Sequence, residues 1–129
     1  MNTRHVQFLK HILILSIFAG VLGLLRFVIT DQVSYLWLNW NLFLALLPVL
    51  CACLAIVIDN NYLKFALLVI WLGFLPNAPY IITDFIHLDT VGPDSLLWFD
   101  AIMIFAYALS GILAWVLSVA ILHDKFTWK

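Results

Sequence analysis

Residues 96–122 read LLWFDAIMIFAYALSGILAWVLSVAIL, and Asp100 is the one charged residue in this stretch. An apolar run of about 20 residues is long enough to cross the hydrocarbon core of a bilayer as a helix. Two other runs of similar character precede it, at residues 12–29 and 41–58. The sequence therefore predicts at least three membrane-spanning helices.

The composition of the whole chain agrees with a membrane protein. Of 129 residues, 66% are hydrophobic and 10% are charged, whereas roughly 25% are charged in a soluble domain. A soluble domain of this length cannot bury so much apolar surface. The mean hydropathy of +1.12 and the net charge of −1 exclude a soluble enzyme, a disordered chain and a nucleic-acid-binding protein. We expect a single membrane domain over residues 1–129, with the lipid bilayer as its surroundings.

A shorter apolar segment at residues 62–75 is followed by two prolines. As an α-helix it reaches about 21 Å, and the hydrocarbon core is roughly 30 Å thick. Pro76 and Pro79 each lack a backbone donor and restrict the residue before them. A second apolar piece, residues 79–88, follows and is either re-entrant or interfacial. The predicted fold is thus an all-α polytopic membrane helical bundle, with four spans and a proline-broken third element.

The basic residues predict how these spans are oriented. Cytoplasmic loops of membrane proteins carry an excess of lysine and arginine. If the N-terminus is cytoplasmic and all four segments cross, every basic residue except Arg26 falls on the cytoplasmic side. These residues are Arg4, Lys10, Lys64, Lys125 and Lys129. We therefore expect a multi-pass protein of the cell membrane with cytoplasmic N- and C-termini.

Small and polar residues recur on one face of each long span when the helices are projected at 100° per residue. Helices in lipid pack through such faces, because lipid is as apolar as leucine. The predicted faces comprise Ser16, Ala19, Gly20, Gly23, Arg26 and Thr30; Asn41, Ala45, Pro48, Ala52, Ala55 and Asp59; and Asp100, Tyr107, Gly111, Ala114 and Ser118. The same faces permit self-association, so a homo-oligomer or a larger membrane complex is among the expected partners.

Each of these faces carries a polar residue near its predicted outer end: Arg26, Asn41 and Asp100. A charge that faces lipid costs at least about 2.5–3.5 kcal/mol, so intramembrane charges usually pair. Arg26 and Asp100 lie at similar depth and are the predicted ion pair. The alternative is that Arg26 extends to the headgroups while Asp100 caps its own helix.

The segment after Pro79 adds further polar residues to this end. Projected as an α-helix, it groups Tyr80 with Thr83, Asp84 and His87 and places Ile81 on the opposite side. The sequence therefore predicts an outward-facing polar patch that binds a ligand or an ion. Its members are Arg26, Asn41, Asn77, Tyr80, Thr83, Asp84, His87 and Asp100.

Two other classes of function remain open. The first is an enzyme acting on a lipid or envelope substrate, with His87 as general base and Asp84 orienting it. These two residues are candidates for the roles, and no residue is assigned as catalytic. The second is a structural or assembly partner in which the patch only packs. No metal site and no cofactor are expected, because the spacing of Asp84, His87 and Asp89 matches no zinc motif and the chain contains no glutamate.

The stretch WLGFLPNAPYIITDFIHL at residues 71–88 resembles the signature of a bacterial membrane-protein family, domain of unknown function 1361. Residues 39–45, NWNLFLA, and residues 98–100, WFD, resemble stretches that flank this signature. The resemblance implies a multi-pass bacterial membrane protein and brings no established activity with it. Members of the family generally contain further hydrophobic spans after the position of Lys129, so we expect this chain to be a short or truncated member.

Overall fold

The computed structural model describes residues 2–31, 35–90 and 96–127, apart from the side chains of His87, Asp89, Thr90 and Thr127. All regular structure in this part of the chain is helical. The elements are α1 (Thr3–Thr30), α2 (Trp37–Val57), α3 (Asn61–Phe74), α4 (Asn77–Tyr80), a 3-10 helix η1 (Ile81–Thr90) and α5 (Leu97–Thr127).

Four segments are long and apolar enough to cross a membrane, which confirms the predicted bundle of four spans. They are Thr3–Thr30, Trp37–Val57, Asn61–Ile86 and Leu97–Phe126. The first helix begins well before the apolar run at residue 12, because the Asn2 side chain accepts a hydrogen bond from the Arg4 backbone N–H and caps the helix. The third candidate span joins α3, α4 and the first part of η1 across Pro76, and so extends beyond the apolar segment at residues 62–75.

The central helix of the bundle is α5, which packs against α1, α2, α4 and η1. In its most apolar stretch 56% of the residues are buried, against 11% in the third span. Tyr107, Ala114 and Ser118 are fully buried, so the predicted packing face of this helix is confirmed. Gly111 lets α4 approach closely, because a Cβ at this position would lie 3.0 Å from the Ala78 carbonyl oxygen.

Two buried clusters follow one another along α5. The first lies toward Asp100 and draws on α1, α2, α4 and η1; it includes Ala19, Leu38, Ala45, Ala78, Ile81, Met103 and Tyr107. The second lies toward the other end and includes Ile12, Val49, Ala52, Ala114, Leu117 and Ile121. Since α1 and α5 are antiparallel, the C-terminal end of α1 and the N-terminal end of α5 meet at the first cluster.

The segment after Pro79 differs from the prediction because η1 is a 3-10 helix, in which the same face of the helix recurs every three residues. In a 3-10 helix the side chains at positions i and i+3 eclipse one another. Ala78, Ile81 and Asp84 therefore form one buried column. Tyr80 and Thr83 form the neighbouring column, which is exposed. The α-helical projection was wrong here, since it grouped Tyr80 and Thr83 with Asp84 and placed Ile81 on the opposite side.

Candidate functional site

Arg26 and Asp100 form a buried, two-pronged ion pair between α1 and α5. Arg26 Nε donates to Asp100 Oδ1 at 2.5 Å, and Nη2 donates to Oδ2 at 3.1 Å. The side chains are 3% and 1% exposed. This parallel geometry matches a guanidinium to both carboxylate oxygens and is the stronger form of such a pair. The predicted pair is confirmed, and the burial of Arg26 excludes the alternative in which it extends to the headgroups.

Tyr35, in the connection between α1 and α2, covers this pair. The Arg26 guanidinium carbon lies 5.8 Å from the centre of the Tyr35 ring, within the range of a cation–π contact. The side chain is only 5% exposed. Burial, together with the negative charge of Asp100, raises the pKa of Tyr35 above its usual value of 10. The phenol is therefore neutral at physiological pH and keeps its hydroxyl proton for donation.

Hydrogen-bonding capacity in this region is left unused. The Tyr35 hydroxyl is buried and lies near the Asp100 carboxylate, but it makes no hydrogen bond of ordinary geometry with any described residue. Arg26 uses Nε and Nη2 on Asp100, and no hydrogen bond joins its Nη1 to any described residue. We name Arg26, Tyr35 and Asp100 the Arg26 cluster. An unsatisfied buried polar group costs about 1–3 kcal/mol, and among the described residues the Tyr35 hydroxyl shares this condition only with Ser16 Oγ.

A second polar contact joins α2 to η1. Asn41 Nδ2 donates to Asp84 Oδ2 at 3.3 Å, and the Asp84 side chain is 2% exposed. Asp84 reaches this position because the three-residue repeat of η1 aligns it with the buried Ile81. Four of the eight predicted patch residues are thus joined in two inward-facing pairs.

The other four predicted residues are not brought into these pairs. Asn77 Nδ2 donates to the Phe74 carbonyl at 3.2 Å and so satisfies the end of α3. Tyr80 is 58% exposed, and the exposed Thr83 donates from Oγ1 to the Tyr80 carbonyl at 2.7 Å. The side chain of His87 lies outside the described residues, so its role as a general base stays a prediction.

The described residues contain no group of three histidine, cysteine, aspartate or glutamate side chains that could hold a metal ion. Their polar contacts at this end of the bundle are instead made by one arginine, two aspartates and neutral side chains. Chemically, such an arrangement can orient a small polar molecule through hydrogen bonds.

Three polar residues of this region were missed as site candidates from the sequence. Tyr107 donates its hydroxyl proton to Asn39 Oδ1 at 2.8 Å, beside Gly23. Tyr107 was on a predicted face but was assigned to packing. Asn39 is two residues from Asn41, so a helical projection turns it about 200° away from the predicted patch. Tyr35 lies in a connection, where no periodicity signals its direction.

The comparison with known proteins yields one family. A sequence model described as "Protein of unknown function (DUF1361)" matches residues 40–129, which is most of the chain. No curated protein matches the chain, and no solved structure matches it. The matched region covers α2 from residue 40 onward and all of α3, α4, η1 and α5, including Asn41, Asp84 and Asp100. With four apolar helices long enough to cross a membrane, this chain is a multi-pass membrane protein that belongs to the DUF1361 family of proteins of unknown function.

Proposed function

We propose that this chain is a bacterial cell-membrane protein whose Arg26 cluster binds a small polar ligand that enters from the outer side. The observation that carries the proposal is the Tyr35 hydroxyl, which is buried beside the ion pair and makes no hydrogen bond of ordinary geometry with Asp100 or any other described residue. A ligand that accepts a hydrogen bond from this hydroxyl would remove the cost of leaving it unsatisfied, and Arg26 Nη1 is a further donor that the ion pair does not use.

A purely structural role accounts less well for this arrangement. Apolar side chains of similar volume commonly replace a buried ion pair with no loss of stability, or with a gain. A packing interface also has no need of a tyrosine hydroxyl, since phenylalanine would fill the same space. These two considerations favour binding over packing alone.

The orientation rests on the charges at the two ends of the bundle. Arg4, Lys10, Lys64 and Lys125 lie near the end at which α1 begins and α5 finishes. At the other end the basic residue Arg26 is neutralised by Asp100. The excess of basic residues supports cytoplasmic termini and an outer position for the Arg26 cluster. The interfacial or re-entrant placement of residues 79–88, and assembly into a homo-oligomer or larger complex, remain parts of the proposal.

Thiol labelling of intact cells tests whether the cluster opens to the outside. Cys51 and Cys53 are first replaced by alanine, and single cysteines are then introduced as Tyr35→Cys or Leu38→Cys. Both native side chains are buried, at 5% and 0% exposure, and the Tyr35 ring lies against the Arg26 guanidinium. We expect a membrane-impermeant maleimide to label position 35 and to leave position 38 unlabelled.

Two results would count against the proposal. Absence of labelling at both positions would mean that the cluster is sealed and that the polar groups only pack. Equal labelling at both would mean that this end of the bundle is loosely packed, with no defined opening at the ion pair. Comparable expression and membrane insertion of the two variants is the control.

A further inference from the structure

A cavity of about 200 Å³ lies at the opposite end of the bundle from the Arg26 cluster. It is lined by Asn2, His5, Ile56, Ile121, Asp124 and Lys125. These residues come from the start of α1, the end of α2 and the end of α5. Pockets that enclose drug-sized ligands occupy roughly 300–1,000 Å³, so this cavity suits a small polar group rather than a large cofactor.

Of the two formally charged residues that line the cavity, Lys125 is the one available to an anion. Asp124 is the acidic residue of the lining, and two histidine side chains lie close to its carboxylate. His5 Nε2 lies 3.3 Å from Asp124 Oδ2, and His123 Nδ1 lies 3.7 Å from Asp124 Oδ1. Lys125, by contrast, makes no ion pair with any described residue. The cavity therefore presents an unused ammonium group beside an aspartate that is already in contact with two imidazoles.

The lining also has an apolar side. Ile121 is 2% exposed and Ile56 is half-buried, and both belong to or pack against the second buried cluster. A free inorganic anion gains nothing from these side chains. A phospholipid does, because its glycerol and upper acyl carbons lie next to its phosphate group. Basic pockets between transmembrane helices are known to hold anionic lipid headgroups in this way.

We propose that this cavity binds the phosphate group of an anionic phospholipid, with Lys125 as the charged contact and the two isoleucines against the lipid's apolar part. The site is separate from the Arg26 cluster and does not depend on the function proposed for that cluster. Lipid binding here would join the ends of α1, α2 and α5.

The test uses the full chain in a nonionic detergent, to which phosphatidylglycerol or phosphatidylcholine is added in increasing amounts. Binding is followed by native mass spectrometry and by the melting temperature. We expect phosphatidylglycerol to bind and to raise the melting temperature more than phosphatidylcholine does. One lysine near a lipid phosphate contributes about 1 kcal/mol, so Lys125→Gln should weaken phosphatidylglycerol binding about fivefold.

Two variants control for charge and for location. Lys125→Arg keeps the positive charge and should retain most of the binding. Lys64→Gln removes a lysine at the same end of the bundle but outside the cavity lining, and should change binding less than about twofold. Neither substitution alters a buried side chain, since Lys125 is exposed and Lys64 is only partly buried.

Three results would overturn the inference. Equal losses in Lys125→Gln and Lys64→Gln would indicate a diffuse surface attraction. Equal binding of phosphatidylcholine would show that the negative charge of the lipid is not recognised. A rise in melting temperature with inorganic phosphate, and none with phosphatidylglycerol, would assign the cavity to a free anion instead of a lipid.

Discussion

At the scale of single residues, the buried pair of Arg26 and Asp100 is the feature with the largest expected effect on stability. Each charge is tolerable only because the other lies within hydrogen-bonding distance. Removal of one partner from a buried pair leaves an uncompensated charge, whereas removal of both leaves none. The two charges should therefore behave as a unit.

We predict that Asp100→Asn lowers the free energy of unfolding by about 3–5 kcal/mol, because the buried Arg26 loses its counter-charge. The double variant Arg26→Gln/Asp100→Asn should recover most of this loss. Unfolding in mixed micelles with increasing denaturing detergent provides the measurement. Asp124→Asn is the matched control, since this carboxylate belongs to a half-exposed pair and should contribute less than about 1 kcal/mol. A double variant no more stable than Asp100→Asn would contradict the coupling.

At the scale of elements, the close approach of α1 to α5 depends on Gly23. A Cβ at this position would lie 2.5 Å from the Tyr107 hydroxyl oxygen, which real contacts do not allow. That oxygen is held in place by its hydrogen bond to Asn39. The glycine is thus required by its neighbour and not by an unusual backbone angle.

We predict that Gly23→Ala destabilises the protein by about 1–3 kcal/mol, the usual cost of overpacking a core. Gly73→Ala is the control, because nothing lies within 4 Å of a Cβ built there and alanine is the better helix former by about 1 kcal/mol. The same detergent titration measures both. Gly23→Ala/Tyr107→Phe removes the clashing hydroxyl and should regain part of the loss. Equal stability of Gly23→Ala and the native protein would show that α1 and α5 are not held this closely.

The elements also show which parts of the structure can be predicted from the sequence. Where the helix is regular, as in α1, α2 and α5, a projection at 100° per residue finds the packing faces and leads directly to the Arg26–Asp100 pair. After Pro79 the same projection fails for Tyr80 and Thr83. The prolines reveal that the α-helix is interrupted, but the choice of a three-residue repeat depends on how Ile81 and Asp84 pack against the rest of the bundle. Tyr35 could not be placed at all, since its position follows from the tertiary contacts of a connecting segment.

At the scale of the whole molecule, the two ends of the bundle differ in charge. Of the basic residues that the structure describes, Arg4, Lys10, Lys64 and Lys125 lie toward one end, while Arg26 lies toward the other and is paired with Asp100. An asymmetry of this kind sets the orientation of a membrane protein during insertion. The proposed orientation also requires the third span to cross, because otherwise Lys125 would be carried to the opposite side.

We predict that Asp31→Cys, made without the native cysteines, is labelled by an impermeant maleimide in intact cells. Lys64→Cys and Lys125→Cys should be labelled only after the membrane is permeabilised. Total labelling in denaturing detergent normalises the three signals. Labelling of Lys125→Cys but not Lys64→Cys in intact cells would mean that residues 61–86 do not cross. Labelling of both lysine positions but not of Asp31→Cys in intact cells would mean that the orientation is inverted.

The pairing of Arg26 with Asp100 has a consequence for biosynthesis. The two residues are 74 positions apart in the sequence, and synthesis proceeds at about 5–20 residues per second. The arginine of α1 is therefore made about 4–15 seconds before the aspartate of α5 that neutralises it. During this interval α1 carries an unmatched positive charge, which must be held by headgroups, by water or by the insertion machinery. The buried pair thus fixes an order of assembly, in which α1 settles at its final depth only after α5 has been made.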